Sequence, residues 1–146
     1  MILMNYYQVK LTKNLSEHNT LLLWLAIIWT AMVTFFCIVS FNDLPKIEVT
    51  NFDKLGHITF HFGITFLWFL VFKFKVLDEN KKALIKAFLF SFFYGIAIEI
   101  YQDQFTATRS GDVLDVLANT SGSFLAIIFI LFCIKYIIRT AQNKLE

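Results

Sequence analysis

Four long runs of apolar residues, separated by short polar stretches, divide the chain. The runs cover about residues 21–41, 55–72, 83–100 and 113–138. Each has the length that a helix needs to cross the hydrocarbon core of a bilayer. The first run lacks the small-residue cleavage site of a signal peptide, so it predicts a retained span. The pattern therefore predicts an all-α polytopic membrane protein, a compact bundle of four transmembrane helices in one domain over residues 1–146.

Composition supports the membrane class. Hydrophobic residues make up 58% of the chain, aromatic residues make up 18%, and the mean hydropathy is +0.63. Values this high exclude a soluble domain of this size. The net charge of +2 gives no indication of nucleic-acid binding. The two cysteines, Cys37 and Cys133, lie inside apolar runs, so we expect packed thiols rather than a disulfide.

Basic residues are distributed unevenly around the four runs. Ten of the 13 lie before the first run, in the segment from Lys73 to Lys86 around the connection of the second and third runs, or near the end of the fourth. They are Lys10, Lys13, Lys73, Lys75, Lys81, Lys82, Lys86, Lys135, Arg139 and Lys144. Because cytoplasmic segments of membrane proteins are enriched in lysine and arginine, we expect both termini in the cytoplasm. The opposite ends of the helices then lie in the outer half of the membrane.

Polar side chains enter the predicted helices at that outer end. On the fourth helix three polar residues and one glycine share an arc of about 80°, since a helix turns by about 100° per residue. These positions are Asp112, Asp115, Asn119 and Gly122. A charged side chain at the centre of a membrane helix costs about 2.5–3.5 kcal/mol, so such groups face the bundle interior and pair. We expect them to meet the polar groups that begin the second helix and end the third.

Two kinds of local signal add structural detail. Asp112 follows Gly111 and precedes the fourth apolar run, which predicts that Asp112 is the N-cap of the fourth helix. Gly63, Gly95 and Gly122 lie within apolar runs, and small residues at such positions allow membrane helices to approach closely. The sequence therefore predicts tight contacts between helices at these three glycines.

Three segments together resemble the VanZ-like family of membrane proteins. They are DKLGH at 53–57, EIYQDQ at 99–104 and RSGDVLDVLANTSG at 109–122, and the likeness extends over about residues 51–130. The motif falls on Asp53, Lys54, His57, Glu99, Gln102, Arg109, Asp112, Asp115, Asn119 and Gly122. The resemblance implies a bacterial plasma-membrane protein and an association with low-level resistance to teicoplanin, a lipoglycopeptide. It implies no particular reaction.

Three functions are open for these residues. In the first, the site binds an anionic lipid head group, such as a polyprenyl phosphate or a cell-wall precursor lipid, at the outer leaflet. The residues for that role are Lys54, His57, Gln102, Arg109 and Asn119. Arginine suits phosphate in particular, because its guanidinium group is planar and can bind two oxygens at once.

In the second function the site is an enzyme that modifies a lipid by acid–base catalysis or with a divalent metal. Its candidate residues are Asp53, His57, Glu99, Asp112 and Asp115. The chain has no H-E-x-x-H, G-x-S-x-G or C-x-x-C motif, so we predict neither a cofactor nor a metal. In the third function the polar groups only hold the outer ends of the helices together. His61 lies outside the motif, and we expect a hydrogen-bonded core histidine or an accessory to the site.

Overall fold

The protein is built from helices alone in the part that the structure describes. A computed structural model describes the backbone of residues 2–38, 52–105 and 112–143, and the side chains in these ranges from residue 19 onward, except 52 and 141. The helices are α1 (Ile2–Ile38), α2 (Phe52–Leu70), α3 (Asn80–Phe105) and α4 (Val113–Gln142). A π-helical turn, Val71–Lys75, continues α2. The predicted all-α class is therefore confirmed.

Each helix contains a stretch that is long and apolar enough to cross a membrane. These stretches are Asn19–Ile38, Asp53–Lys75, Asn80–Phe105 and Val113–Thr140. Each overlaps one predicted run, although the helices extend beyond the apolar residues. For example, α3 already begins at Asn80, because the lysines that follow it are good helix formers. The outer surface of the described bundle carries many large apolar side chains, such as Phe132 and Ile137, as a lipid-facing surface requires.

Close contacts between helices occur at the three predicted glycines. A Cβ atom at Gly122 on α4 would collide with the main-chain carbonyl group of Ile58 on α2. At Gly63 on α2 it would collide with the indole ring of Trp29 on α1. At Gly95 on α3 it would lie 2.9 Å from Cε1 of His61. Helix α2 packs against all three other helices, and these glycines let it lie at the centre of the bundle.

Two apolar clusters fill the interior at different levels. One contains Val33, Cys37, Ile64 and Ile98, and the other contains Phe69, Ala83, Ala87 and Ile130. Both cysteines are free thiols, as expected from their apolar surroundings. The first cluster lies towards the end of the bundle where α3 ends, and buried polar side chains pack next to it.

Candidate functional site

Most of the motif residues meet at one end of the bundle, where α2 begins, α3 ends and α4 begins. The residues that contact one another there are Lys54, His57, Glu99, Asp112, Asp115 and Asn119. Helical spacing explains the convergence, because positions three and four residues apart share a face. Lys54 and His57 are three apart on α2, and Asp115 and Asn119 are four apart on α4. We call these six residues the polar cluster.

Lys54 connects α2 to the start of α4. Its ammonium group donates to Oδ1 of Asp115 at 3.1 Å and to Oδ2 of Asp112 at 3.2 Å. The Asp115 side chain is only 11% exposed, whereas those of Lys54 and Asp112 are 31% and 42% exposed. The lysine therefore lies at the boundary of the cluster, and one of its two partners lies inside.

Asp112 is the N-cap of α4, as the sequence predicts. Its backbone is extended, with φ −114° and ψ 121°, and its carboxylate accepts a hydrogen bond from the backbone N–H of Leu114 at 2.8 Å. That bond, followed by the one from Lys54, holds the pKa of the Asp112 carboxyl below its ordinary value. The backbone N–H of Asp112 donates to Oε2 of Glu99 at 3.3 Å. The start of α4 is thus joined to the end of α3.

His57 lies at the centre of the polar cluster and is 4% exposed. Its Nδ1 atom lies 3.0 Å from Oδ1 of Asn119 and 3.9 Å from Oε1 of Glu99. On the other side of the ring, Nε2 lies 3.8 Å from Oδ2 of Asp115. Among the described residues, Oε1 of Glu99 has no hydrogen-bond partner, and neither does Nδ2 of Asn119. The interior of the site therefore contains polar atoms beyond those needed to join the helices.

The other predicted site residues lie around this cluster. Asp53 is exposed, and one of its carboxylate oxygens lies within 4.8 Å of ligand atoms of His57 and Asp115. Gln102 is buried, and its side-chain nitrogen donates to the carbonyl oxygen of Cys37 at 2.8 Å, which joins α3 to α1. Arg109 lies outside the described residues, so its predicted role in binding a lipid head group stays a prediction.

A second polar layer lies one turn deeper and was only partly visible in the sequence. Nδ1 of His61 lies 2.8 Å from Oγ of Ser91, which lies 2.9 Å from Oγ of Ser123. Ser123 donates in turn to the carbonyl oxygen of Asn119 at 3.1 Å. His61 is therefore a hydrogen-bonded core histidine. The available signal for Ser123 was its spacing of four residues from Asn119, which places it on the polar face of α4.

A groove of about 250 Å³ lies beside the polar cluster, between the end of α3 and the start of α4. It is lined by Glu99, Ile100, Asp103, Gln104, Asp112, Val113 and Val116. Ile100 and Val113 are 52% and 75% exposed. Carboxyl groups and outward-facing apolar side chains thus lie next to each other in one groove, which suits a ligand with both polar and apolar parts.

Carboxyl groups outnumber cations in the described part of the site. Asp53, Glu99, Asp112 and Asp115 lie around Lys54, which is already paired twice. Such an arrangement can accept hydrogen bonds from hydroxyl groups or attract a cation. A phosphate group needs positive charge in addition to that of Lys54.

The comparisons with known proteins show the family of the chain. Neither the curated proteins nor the solved structures contain a match to the chain. The family model described as VanZ/LLP1 matches residues 2–135, which includes all four helices up to the last turns of α4. The chain therefore belongs to the VanZ/LLP1 family.

Proposed function

We propose that this protein binds the head group of an envelope lipid or cell-wall precursor lipid at the polar end of its helix bundle. The observation that supports the proposal best is the groove between α3 and α4. Glu99 and Asp112 lie on the same groove as the exposed apolar side chains of Ile100 and Val113. A membrane lipid has this combination of chemistries, since its polar head adjoins an apolar chain.

The polar cluster favours a head group that carries hydroxyl groups as well as phosphate. Carboxylates such as that of Asp112 accept hydrogen bonds from sugar hydroxyls. The phosphate of a polyprenyl-linked precursor would be attracted by Lys54 and by Arg109, which follows in the motif. Binding of an anionic lipid therefore depends on cations that offset the carboxyl groups of the site.

The site is proposed to face the outer leaflet of a bacterial plasma membrane. The lysines between α2 and α3 lie at the end of the bundle opposite the polar cluster. The positive-inside rule assigns that end, together with both termini, to the cytoplasm. The polar cluster would then lie where cell-wall precursor lipids are used. Altered exposure of such a lipid would explain how a member of this family affects teicoplanin, which is itself a lipid-bearing antibiotic.

A purely structural role is the alternative, and one set of contacts favours it. Lys54 joins α2 to α4, and Gln102 joins α3 to α1, so both stabilise the end of the bundle. A structural role does not require the unpaired oxygen of buried Glu99, because buried polar atoms without partners destabilise a fold. Catalysis on a lipid is a further alternative, and the candidates for it are the same carboxylates together with His57.

The test is native mass spectrometry of the full chain after gentle release from its own membrane. Ile100→Trp fills the groove, and Leu89→Trp is the matched control, an exposed apolar position on the same helix that does not line the groove. We expect a polyprenyl-linked or other phosphate-bearing lipid to bind to the wild type and to Leu89→Trp but not to Ile100→Trp. A stable wild type that takes up no more added polyprenyl phosphate than Ile100→Trp would contradict lipid binding.

A further inference from the structure

We infer that Asp53, His57 and Asp115 form a binding site for a divalent transition-metal ion. One ligand atom from each residue lies within 4.8 Å of the other two. Asp53 and His57 are four residues apart on α2, so their side chains share one face, and Asp115 reaches them from α4. The site therefore joins two helices at the polar end of the bundle. It departs from the sequence-based expectation of no metal.

The hydrogen bond to Asn119 prepares His57 for metal binding. The carbonyl oxygen Oδ1 of Asn119 only accepts, so the Nδ1 atom of His57, 3.0 Å away, must be the donor. In a neutral imidazole the lone pair then lies on Nε2. Metal-binding histidines are commonly oriented in this way, by a hydrogen-bond acceptor at the ring nitrogen that does not bind the ion.

Asp115 lies where a cation bound to that lone pair would also contact its carboxylate. Nε2 of His57 and Oδ2 of Asp115 are 3.8 Å apart, which is too far for a direct hydrogen bond. Two electron-rich atoms that face each other repel, and a cation that binds both removes the repulsion. Zn²⁺ binds nitrogen and oxygen ligands at about 2.0–2.2 Å, so small side-chain movements suffice to enclose an ion.

Lys54 does not compete for the same oxygen. It donates to Oδ1 of Asp115, whereas Oδ2 is the atom that faces His57. One carboxylate can therefore bind the ammonium group on one side and a metal ion on the other. The Lys54 contact also fixes the orientation of the Asp115 side chain, as hydrogen bonds to the ligands do in metal sites.

Glu99 adds a buried carboxylate on the Nδ1 side of the His57 ring, opposite the Nε2 atom that faces Asp115. It is 6% exposed, and its Oε1 atom has no hydrogen-bond partner among the described residues, although it lies 3.9 Å from Nδ1 of His57. A buried carboxylate oxygen of this kind is costly unless positive charge lies close by. Glu99 is not among the three ligands, and its contribution to the site is electrostatic.

The ligand set selects the class of ion. Imidazole with carboxylates suits Zn²⁺ or Mn²⁺, whereas Mg²⁺ and Ca²⁺ favour sites made of oxygen ligands alone. Three protein ligands leave at least one coordination position open, as in zinc sites that bind a substrate or water. Asp53 is exposed, so the open position is accessible from the polar end. If the proposed lipid function holds, the ion supplies the positive charge that a lipid phosphate requires.

The first experiment measures the binding of Zn²⁺ and Mn²⁺ to the full chain in detergent, after removal of bound metal with a chelator. We expect one ion per chain and an increase in melting temperature with ion concentration, because a ligand of the folded state stabilises it. His57→Gln and Asp53→Asn should abolish both effects. His61→Gln is the matched control, a buried histidine on the same helix that bonds to Ser91 instead.

Asn119→Ala removes the acceptor that orients the His57 ring, with an expected loss of about 10–100-fold in metal affinity. Folding of each variant is checked by circular dichroism, and exposed Asp53 provides a variant that leaves the core intact. A folded wild type that binds neither ion saturably would overturn the inference. So would equal affinity in the wild type and Asp53→Asn.

Lipid binding with and without metal separates this inference from the proposed function. Uptake of polyprenyl phosphate by the metal-loaded protein, lost after chelation and in Asp53→Asn, is the result that supports both. Saturable metal binding without any lipid uptake would leave the metal site in place and contradict the lipid function. A third outcome is a protein that binds no ion and takes up the same amount of lipid whether or not metal is added. This result would contradict the metal site and leave the lipid function in place.

Discussion

The ammonium group of Lys54 on α2 lies 3.1 Å from Oδ1 of Asp115 on α4, and it contacts Asp112 as well. Because the Asp115 side chain is only 11% exposed, it would keep a poorly solvated negative charge if the lysine were removed. We expect Lys54→Met to lower the melting temperature in detergent, measured by circular dichroism. In the double variant, which combines Lys54→Met with Asp115→Asn, part of the lost melting temperature should be restored because the unpaired charge is gone.

Lys86 provides the matched control for this pair. It donates to Oδ2 of Asp78 at 2.7 Å, and its side chain is 49% exposed. The Asp78 side chain is 14% exposed, close to the 11% of Asp115. Lys86 is nevertheless more exposed than Lys54, which is 31% exposed, and it pairs with one carboxylate instead of two, so water and salt screen its charge more. Lys86→Met should therefore lower the melting temperature less than Lys54→Met. An equal loss of melting temperature in the two variants would show that the contacts of Lys54 stabilise the bundle no more than the Lys86 pair does.

Among the described glycines, Gly122 on α4 leaves the least room for a side chain, because it packs directly against the backbone of α2. A Cβ atom there would collide with the carbonyl group of Ile58, and a main-chain atom in a helix cannot turn away as a side chain can. We expect Gly122→Ala to destabilise the fold by about 1–3 kcal/mol, the usual cost of overpacking. Unfolding in mixed detergent, followed by circular dichroism, measures this loss.

Gly56 on α2 is the control for Gly122. A Cβ atom there would meet only Cε2 of Phe60, at 4.0 Å, which is an ordinary contact. Alanine is favoured over glycine inside a helix by about 0.5–1 kcal/mol, so Gly56→Ala should be neutral or stabilising. If Gly122→Ala were as stable as Gly56→Ala, α2 and α4 could move apart without a loss in free energy of unfolding, and the close contact at Gly122 would not be required.

Hydrophobic pattern and local chemistry sufficed to predict several parts of this architecture. The four apolar runs predict the four helices because only long apolar segments can cross a bilayer as helices. The N-cap role of Asp112 follows from one residue type at the start of a run. The common arc of Asp112, Asp115 and Asn119 on the fourth helix follows from helical spacing alone.

Other features depend on tertiary contacts that no local pattern specifies. For example, His57 bonds to Asn119 and not to one of the nearby carboxylates. The packing of α2 against α4 determines this choice of partner. The π-helical turn Val71–Lys75 is followed by Leu77 with a φ of 61°. That conformation normally favours glycine, so the sequence gives no signal for a turn there.

Ser91 connects the second polar layer across three helices. It lies 2.8 Å from Nδ1 of His61 and 2.9 Å from Oγ of Ser123. Ser91→Ala would leave two buried polar groups without this partner, which costs about 1–3 kcal/mol. We expect a corresponding loss of unfolding free energy. Ser121 is the control, since it is exposed and its hydroxyl donates to the carbonyl oxygen of Leu117 on its own helix, so Ser121→Ala should change stability by less than about 0.5 kcal/mol.

The N-cap at Asp112 makes the stability of the bundle depend on pH. Its carboxyl has a pKa below the ordinary value of 3.8, first because the backbone N–H of Leu114 donates to it and then because Lys54 does. Since the folded pKa is the lower one, the cap contributes fully above about pH 4 and is lost as the pH falls through the folded pKa. Asp112→Asn keeps a capping side chain but cannot titrate. The melting temperature of the wild type should therefore exceed that of Asp112→Asn by a constant amount near neutral pH, and this difference should shrink in acid. A difference that stays constant throughout an acid titration would contradict the role of the ionised cap.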